Sequence, residues 1–122
     1  MKSILIIEDE ETLLRMLAEK LSHEGFKVWK ALNGEEGMDM IKTKHPDLVL
    51  LDIIMPRMDG MHMLAQLRAS AWGKDVPVMI LSNLSDDKRV AESLEHGVYD
   101  YLIKTDWSLE DVAKKVKEKL GI

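Results

Sequence analysis

Short runs of apolar residues recur along the chain, and four of them end at a charged or hydroxyl side chain. Strands that are buried on both faces of a parallel sheet have this composition. The runs predict five strands, at residues 3–7, 26–31, 48–51, 76–81 and 98–103. Between them, apolar residues recur at helical spacing. Strands and helices therefore alternate, which is typical of a parallel sheet covered by helices on both faces.

Capping residues mark several of the predicted helices. Asn33 is expected to be the N-cap of a helix that ends before Pro46, since a residue that precedes proline disfavours helical geometry. Ser108 followed by Asp111 predicts a capping box at the start of the last helix. A further helix is predicted through residues 90–94.

Five strand–helix pairs with right-handed crossovers permit only a few topologies. We expect a flavodoxin-like, doubly wound (βα)5 sheet of strand order 2-1-3-4-5, in which the first and third strands are neighbours. Connectivity alone does not select this order. The acidic residues select it, because Glu8 and Asp9 then lie beside Asp52. A length of 122 residues is close to the commonest domain size, so one domain spanning 1–122 is expected.

The polar residues that end four of the runs predict a functional site. They are Glu8 with Asp9, Asp52, Ser82 and Lys104. The carboxyl ends of parallel strands meet at one edge of the sheet, where open α/β sheets bind their ligands. Three carboxylates in one pocket repel one another unless a cation joins them. Mg²⁺ prefers such oxygen ligands, with Mn²⁺ as an alternative. Asp9 and Asp52 are the expected direct ligands, and Glu8 is expected to act through water or hydrogen bonds.

A metal beside an aspartate permits phosphoryl chemistry, because a carboxylate can act as a nucleophile toward phosphorus. The backbone carbonyl of Ile54 would complete the metal ligands that the protein supplies. Lys104 would neutralise charge on the transferring group, and Ser82 would donate a hydrogen bond to it. Such transfer needs no general base, which agrees with the absence of histidine from these motifs. If the acids only capped helices, Asp52 and Lys104 would stay unexplained.

Composition narrows the classes of partner. The formal net charge of −5 argues against direct nucleic-acid binding, which needs Lys and Arg for phosphate contacts. The chain has no cysteine, which excludes thiolate catalysis and thiolate metal sites. No apolar run approaches the roughly 20 residues that cross a bilayer, and the amino terminus does not have the pattern of a signal peptide. A cytoplasmic location without membrane contact is therefore expected.

The whole chain resembles a response-regulator receiver domain of two-component signalling, of the chemotaxis-regulator type. The matching residues are the pair Glu8-Asp9, Asp52, Met55-Pro56 with Gly60, Ser82, Tyr101 and Lys104. The intervals from Asp52 to Ser82 and from Ser82 to Lys104 are also typical of the family. Each short motif is weak alone, but together, in this strand order, they are highly specific.

The resemblance implies that a histidine kinase or histidine phosphotransfer protein presents a phosphohistidine and that Asp52 accepts its phosphoryl group with Mg²⁺. The domain would catalyse this transfer and the later hydrolysis of the acyl phosphate. Ser82 would be the switch hydroxyl and Tyr101 the switch aromatic, although spacing alone also allows Tyr101 to be an ordinary half-buried strand residue. The output would be a population shift in the face formed by the helix predicted at 90–94, the fifth strand and the last helix. A downstream effector or a removed output domain would recognise the altered face. The domain would be a monomer or a phosphorylation-dependent dimer through that face.

Some positions depart from the family pattern. Thr105 stands where proline usually follows the lysine, which leaves a trans or a strained peptide bond open at 104–105. Asn83 replaces a small residue and could crowd the phosphoryl group or hydrogen-bond to it. Ile54 and Leu84 put aliphatic side chains where an attacking water would pass, so slow self-dephosphorylation is expected. Trp107 is expected either to cover the start of the last helix or to contact the kinase.

Other classes of protein fit less well. A haloacid-dehalogenase-like phosphotransferase expects a second aspartate two residues after the nucleophile, where Ile54 stands. A nucleotide-binding protein expects glycine in the first loop, which is acidic at residues 8–11 and contains none. A phosphate-independent pseudo-receiver stays as the alternative because of Asn83 and Thr105.

Overall fold

A single parallel sheet of strand order β2-β1-β3-β4-β5 forms the centre of the computed structural model, which describes residues 1–52, 60–82, 100–103 and 108–122. Its strands are β1 (Ser3–Ile7), β2 (Lys27–Ala31), β3 (Leu48–Asp52), β4 (Val78–Ser82) and β5 (Asp100–Ile103). The described helices are α1 (Glu11–His23), α2 (Gly34–Lys44), α3 (Gly60–Ala69) and α4 (Leu109–Leu120). The predicted flavodoxin-like order is confirmed. The helix predicted at 90–94 lies outside the described residues.

The central strands β1 and β3 are buried along their whole length, because helices cover both faces of the sheet. Successive side chains of a strand point to opposite faces. Leu5 and Ile7 pack with apolar residues of α2 and α3 on one face. Ile4 and Ile6 pack with α1 and α4 on the other. Two separate cores therefore hold the middle of the sheet in place.

Helix α2 begins and ends as the sequence predicts. The Oδ1 of Asn33 accepts the backbone N–H of Glu36 at 3.0 Å, which satisfies one of the free donors at the helix start. At the other end His45 has a φ of 49° and donates its backbone N–H to the carbonyl of Ile41, just before Pro46. A left-handed residue at this position closes a helix by satisfying a free carbonyl.

Helix α4 is capped as predicted and is tied to α1 by ion pairs. The Oγ of Ser108 accepts the N–H of Asp111, whose carboxylate accepts the N–H of Ser108 in return. Lys20 of α1 pairs with Glu110, and this hydrogen bond raises the pKa of Lys20. Lys117 of α4 pairs with Glu24 at 3.4 Å. Such exposed pairs add little stability, so they orient the two helices rather than hold them together.

Two strands start later than predicted. Strand β4 starts at Val78 rather than at residue 76, because the carbonyl of Val76 accepts a hydrogen bond of 2.7 Å from the guanidinium of Arg68. The carbonyl of Gly73 accepts a second bond from the same nitrogen at 2.9 Å, so both carbonyls belong to the turn after α3. Strand β2 starts at Lys27 rather than at residue 26, because the N–H of Phe26 closes the end of α1 on Leu21.

Strands β3 and β4 each extend one residue further than predicted, to Asp52 and Ser82. Asp52 pairs in register with Leu81 of β4, and Ser82 pairs with Ile103 of β5. Strand β5 starts at Asp100, and residues 98 and 99 of the predicted strand lie outside the described residues. Asp52 and Ser82, which were expected to follow their strands, are therefore the last members of them, and this holds their backbone in the sheet.

The close contact of α2 with β1 requires glycine at position 37. A Cβ at Gly37 would lie 2.3 Å from the Cδ1 of Ile7 and 2.8 Å from its Cγ1. We expect Gly37→Ala to lower the free energy of unfolding by about 1–3 kcal/mol, because overpacking outweighs the gain in helix propensity. Urea unfolding followed by circular dichroism measures this change.

The Ile7→Val variant supplies the control for this prediction. Alone it should cost about 0.5–1.5 kcal/mol, because it removes one buried methyl group. Combined with Gly37→Ala, it removes the Cδ1 atom that the new methyl group would strike. The double variant should therefore be more stable than the sum of the two losses predicts. Strict additivity would contradict the contact.

Candidate functional site

Parallel pairing of β1 with β3 brings three carboxylates together. Ile7 pairs in register with Leu51, so the next residues along the two strands, Glu8 and Asp52, lie side by side. One carboxylate oxygen each from Glu8, Asp9 and Asp52 lies within 4.8 Å of the other two. The structure thus brings together the acids that the sequence predicts to share a pocket.

Hydrogen bonds hold both the backbone and the side chain of Glu8. Its backbone N–H donates to the carbonyl of Ala31 at 3.0 Å, which continues the pairing of β1 with β2. Its Oε1 accepts the backbone N–H of Glu10 at 3.2 Å. The side chain of Glu8 is therefore oriented by a turn of its own loop.

The three acids differ in their exposure to solvent. Glu8 is 2% exposed and Asp52 is 6% exposed, whereas Asp9 is exposed to solvent. Charged groups that are this deeply buried in proteins are paired or coordinate metals. Asp9 completes the cluster from the solvent side, where an ion would enter.

The spacing of the oxygens fits a hard divalent cation. Two oxygens bound directly to one Mg²⁺ lie at most about 4.2 Å apart, twice the metal–oxygen distance of about 2.1 Å. Oxygens within 4.8 Å of one another need only small side-chain movements, or one water between an acid and the ion. Three carboxylates without nitrogen or sulfur suit Mg²⁺ or Mn²⁺ rather than Zn²⁺. The residues present therefore fit the predicted metal.

Helix capping explains only part of this cluster. Glu10 is the N-cap of α1, but its side chain makes no capping hydrogen bond. Instead, the carboxylate of Glu8 accepts the N–H of Glu10. Asp52 is the last residue of β3 and does not precede α1 in the sequence, so it is not a cap of that helix. Capping therefore accounts for one contact of Glu8 and does not account for the cluster.

The remaining predicted site residues are only partly within the described region. Ser82 is the last residue of β4, the strand beside β3, and Tyr101 lies in β5. Ser82 therefore shares the carboxyl edge of the sheet with Asp52. The predicted positions that lie outside the described residues are Ile54, Asn83, Leu84, Lys104, Thr105 and Trp107.

The orienting role of the Glu10 backbone was not predicted from the sequence. A side chain that turns back onto an amide two residues later is common in loops, but it is usually an Asp or Asn. Four consecutive acids at 8–11 were the only available signal. They could not indicate which carboxylate turns toward the chain.

A flavodoxin-like sheet with an acidic cluster that fits a divalent cation, at the ends of neighbouring central strands, defines a class of α/β proteins that bind their ligands at the switch point of the sheet. The family model of the response regulator receiver domain matches residues 4–117. The chain belongs to this family.

Relatives of known sequence agree with this assignment. The chain is 40% identical over 103 residues to the "Probable transcriptional regulator ycf27" of Porphyridium aerugineum, covering 84% of this chain and 42% of that protein. It is 33% identical over 117 residues to the "Response regulator MprA" of Mycolicibacterium vanbaalenii, covering 96% and 49%. The chain thus spans about half the length of the curated relatives it matches.

A solved structure shows the same fold. The response regulator protein TrrA of Thermotoga maritima, in complex with Mg²⁺ and BeF, is 30% identical. It superposes with a TM-score of 0.84 over 98% of this chain and 99% of that one. In the part of our chain that is described, no helix is long and apolar enough to span a membrane.

Metal binding by the cluster can be tested with charge-removing variants. We expect Asp9→Asn and Asp52→Asn each to weaken Mg²⁺ binding by more than tenfold, or about 1.4 kcal/mol, because each loses an anionic ligand. A titration followed by amide NMR shifts measures the affinity. Asp75→Asn removes the same charge from an exposed turn just before β4, at the opposite end of the strands from the cluster. This variant should leave the affinity unchanged. Equal weakening by all three variants would indicate long-range charge attraction instead of a site.

Proposed function

We propose that this chain is a signalling switch in which Asp52 accepts a phosphoryl group in a Mg²⁺-dependent reaction. The donor is a phosphohistidine on a histidine kinase or a histidine phosphotransfer protein. The observation that carries this proposal is the carboxylate cluster of Glu8, Asp9 and Asp52 on adjacent strands, in a chain of the receiver family. Clusters of three acids are common on protein surfaces, but this cluster lies at the carboxyl ends of the strands, where open α/β sheets bind their ligands.

Asp52 is the nucleophile in this proposal. One of its carboxylate oxygens attacks phosphorus, so that an O–P bond forms and the N–P bond to the donor imidazole breaks. The electron pair of that bond leaves with the imidazole nitrogen, and an aspartyl phosphate remains on the protein. Because Asp52 is the last residue of a buried strand, its backbone is fixed before the donor arrives. This positioning supports catalysis that depends on geometry and electrostatics rather than on a general base.

Asp9 and Asp52 would hold the metal directly, Glu8 through water, and the backbone carbonyl of Ile54 would supply a further ligand. When bound, Mg²⁺ would neutralise negative charge on the transferring phosphoryl oxygens, and Mn²⁺ would serve the same purpose. The bond from the Glu10 N–H keeps Glu8 facing the pocket. The complex of TrrA with Mg²⁺ and BeF supports this assignment by analogy.

Lys104 and Ser82 would bind the phosphoryl group on Asp52. Both would form charge-assisted hydrogen bonds to the phosphoryl oxygens, each worth about 1.5–3 kcal/mol. A nearly complete switch needs about 5.5 kcal/mol of differential binding, so a partial shift of population is the expected response. Tyr101 would move inward as Ser82 moves toward the phosphoryl group, altering the face formed by the helix predicted at 90–94, β5 and α4.

The partners beyond the donor follow from the family. The curated relatives are about twice as long as this chain, so a downstream effector protein or an output domain would recognise the altered face. We propose that residues 1–122 form one receiver domain, as a monomer or as a phosphorylation-dependent dimer through that face. The domain would bind no nucleic acid or membrane directly, would act in the cytoplasm, and would catalyse its own phosphorylation and dephosphorylation.

A phosphate-independent pseudo-receiver is the less supported alternative. Its basis is Asn83 and Thr105, which depart from the family pattern. A domain that no longer accepts phosphate has no need to keep two buried carboxylates beside an exposed third one, since buried charge is costly.

Phosphorylation of Asp52 is tested by intact mass spectrometry. The chain is incubated with a small phosphodonor such as acetyl phosphate and Mg²⁺, beside the Asp52→Ala variant. We expect the mass to increase by one phosphoryl group in the first sample only. Omission of Mg²⁺ should prevent the increase. A folded, metal-binding chain that gains no mass would support the pseudo-receiver instead.

The lifetime of the phosphorylated state depends on access of water to the acyl phosphate. Ile54 stands two residues after the nucleophile in the sequence, and its aliphatic side chain can neither orient nor activate water. We expect Ile54→Asn or Ile54→Glu to shorten the lifetime by about tenfold, or about 1.4 kcal/mol in the barrier. Decay of the phosphorylated mass measures the lifetime, with Ile122→Asn as the control at an exposed position. An unchanged lifetime in the Ile54 variants would contradict slow self-dephosphorylation.

A further inference from the structure

A long groove follows the outer edge of the sheet, away from the carboxylate cluster. Two hollows of about 600 and 620 Å³ lie along β2, and both are lined by Arg15 and Lys30, so they join into one trough. We call it the β2 trough. Helix α1 forms one wall along its whole length, and α2 forms the other wall at one end. Arg15 of α1 and Lys30 of β2 line both hollows. Glu36, Asp39 and Met40 of α2 line one hollow, and Val28 of β2 lines the other.

The floor of the β2 trough offers free backbone groups. Lys27 donates its N–H to Lys2 beside β1, and Ala31 accepts from Glu8, so both face the sheet. Backbone groups alternate in direction along a strand, so the N–H and C=O of Val28 and Lys30 point away from β1, into the trough. Among the residues that the structure describes, none makes a hydrogen bond to these outward groups. An edge of this kind can accept an additional strand.

The two walls of the β2 trough differ in charge at the end that α2 lines. On the α1 side, Arg15 and Lys30 line both hollows, while Glu11 and Glu19 lie at the two ends. On the α2 side, the charged lining residues are Glu36 and Asp39.

Two of the central charges are available to a partner. Within the described part of the chain, Arg15 and Asp39 make no side-chain hydrogen bond or ion pair, and both are exposed. The carboxylate of Glu36 is already held by the N–H of Leu32. Where α2 lines the trough, Arg15 and Lys30 therefore present positive charge to one face of an added strand, and Asp39 presents negative charge to its other face.

We propose that an extended segment of a partner protein, with one acidic and one basic side chain at adjacent positions, adds to β2 as a sixth strand. Side chains of such a segment point alternately to the two faces of the sheet. Its acidic side chain would meet Arg15 and Lys30, and its basic side chain would meet Asp39. Backbone hydrogen bonds to Val28 and Lys30 supply the affinity, and the two charged walls supply the selectivity.

A second copy of this chain does not fit the same trough through its own edge. Strand β2 carries Lys27 and Lys30 and has no acidic residue, so two copies would bring lysines to a surface that already presents Arg15. Charged side chains on an edge strand also oppose indiscriminate pairing. The edge therefore disfavours a basic strand and favours one with an acidic and a basic side chain on opposite faces.

Two peptides of identical composition test this proposal. One is neutral except for a central glutamate and lysine at adjacent positions, which point to opposite faces of the strand. In the other, the glutamate and lysine are two positions apart and point to the same face. Each is titrated into the isotope-labelled chain without Mg²⁺ or phosphodonor. We expect the peptide with adjacent charges to bind at least tenfold more tightly, with the largest amide shifts and slowed hydrogen exchange at Val28 and Lys30. Equal binding of the two peptides, shifts located elsewhere, or no shift at millimolar peptide would overturn the proposal.

Two variants separate backbone pairing from charge. Val28→Pro removes an outward N–H that does not pair with β1, a change that edge strands tolerate. Arg15→Glu reverses the charge of the α1 wall on an exposed surface, so the fold should persist even if the proline variant unfolds. Both should weaken binding at least tenfold, whereas Lys44→Glu, exposed at the end of α2, should not.

The oligomeric state of the chain completes the test. Sedimentation of the unliganded chain should give the same oligomeric state with and without Val28→Pro. A dimer that Val28→Pro dissociates would assign the edge to a second copy and overturn the proposal. None of these measurements depends on phosphorylation, so their outcome leaves the proposal for Asp52 untouched.

Discussion

The pairing of β1 with β3 is the constraint on which the rest of the structure depends. These two strands are buried on both faces, so their register is fixed by the cores above and below them. A shift of one residue would turn every buried side chain to the opposite face of the sheet. The register that satisfies both cores also places Glu8 beside Asp52. The energy of apolar burial thus holds together carboxylates that would otherwise repel one another, and it prepares the cluster for a cation.

Much of this arrangement could be predicted from the sequence, because it follows from local patterns. Continuous apolar runs predicted the strands, and the polar residues at their ends predicted where the site lies. The capping box at Ser108 was equally local and is confirmed. The start of β4 could not be predicted, because it depends on Arg68, a side chain of the preceding helix that binds the carbonyl of Val76. The contact of Gly37 with Ile7 and the turn of Glu8 onto Glu10 are likewise set by tertiary structure, for which one sequence contains no periodic signal.

The two edges of the fold serve different purposes in this account. The carboxyl edge gathers charge of one sign from β1 and β3 and suits a cation with a phosphoryl group. The outer edge at β2 presents outward backbone groups beside Arg15 and Lys30 on one face and Asp39 on the other, and it suits a strand. They meet at Ala31, whose carbonyl accepts the N–H of Glu8. Because this bond continues the pairing of β1 with β2, the outer strand also supports one of the three acids of the site.

A crystal structure of the chain with Mg²⁺ and beryllium fluoride, a stable mimic of the phosphoryl group, tests the central claim most directly. We expect the ion between the carboxylates of Asp9 and Asp52, with Glu8 in contact through water, and the beryllium bonded to a carboxylate oxygen of Asp52. An ion bound elsewhere, or a mimic attached to another side chain, would contradict the claim that the pairing of β1 with β3 builds a phosphoryl-accepting site.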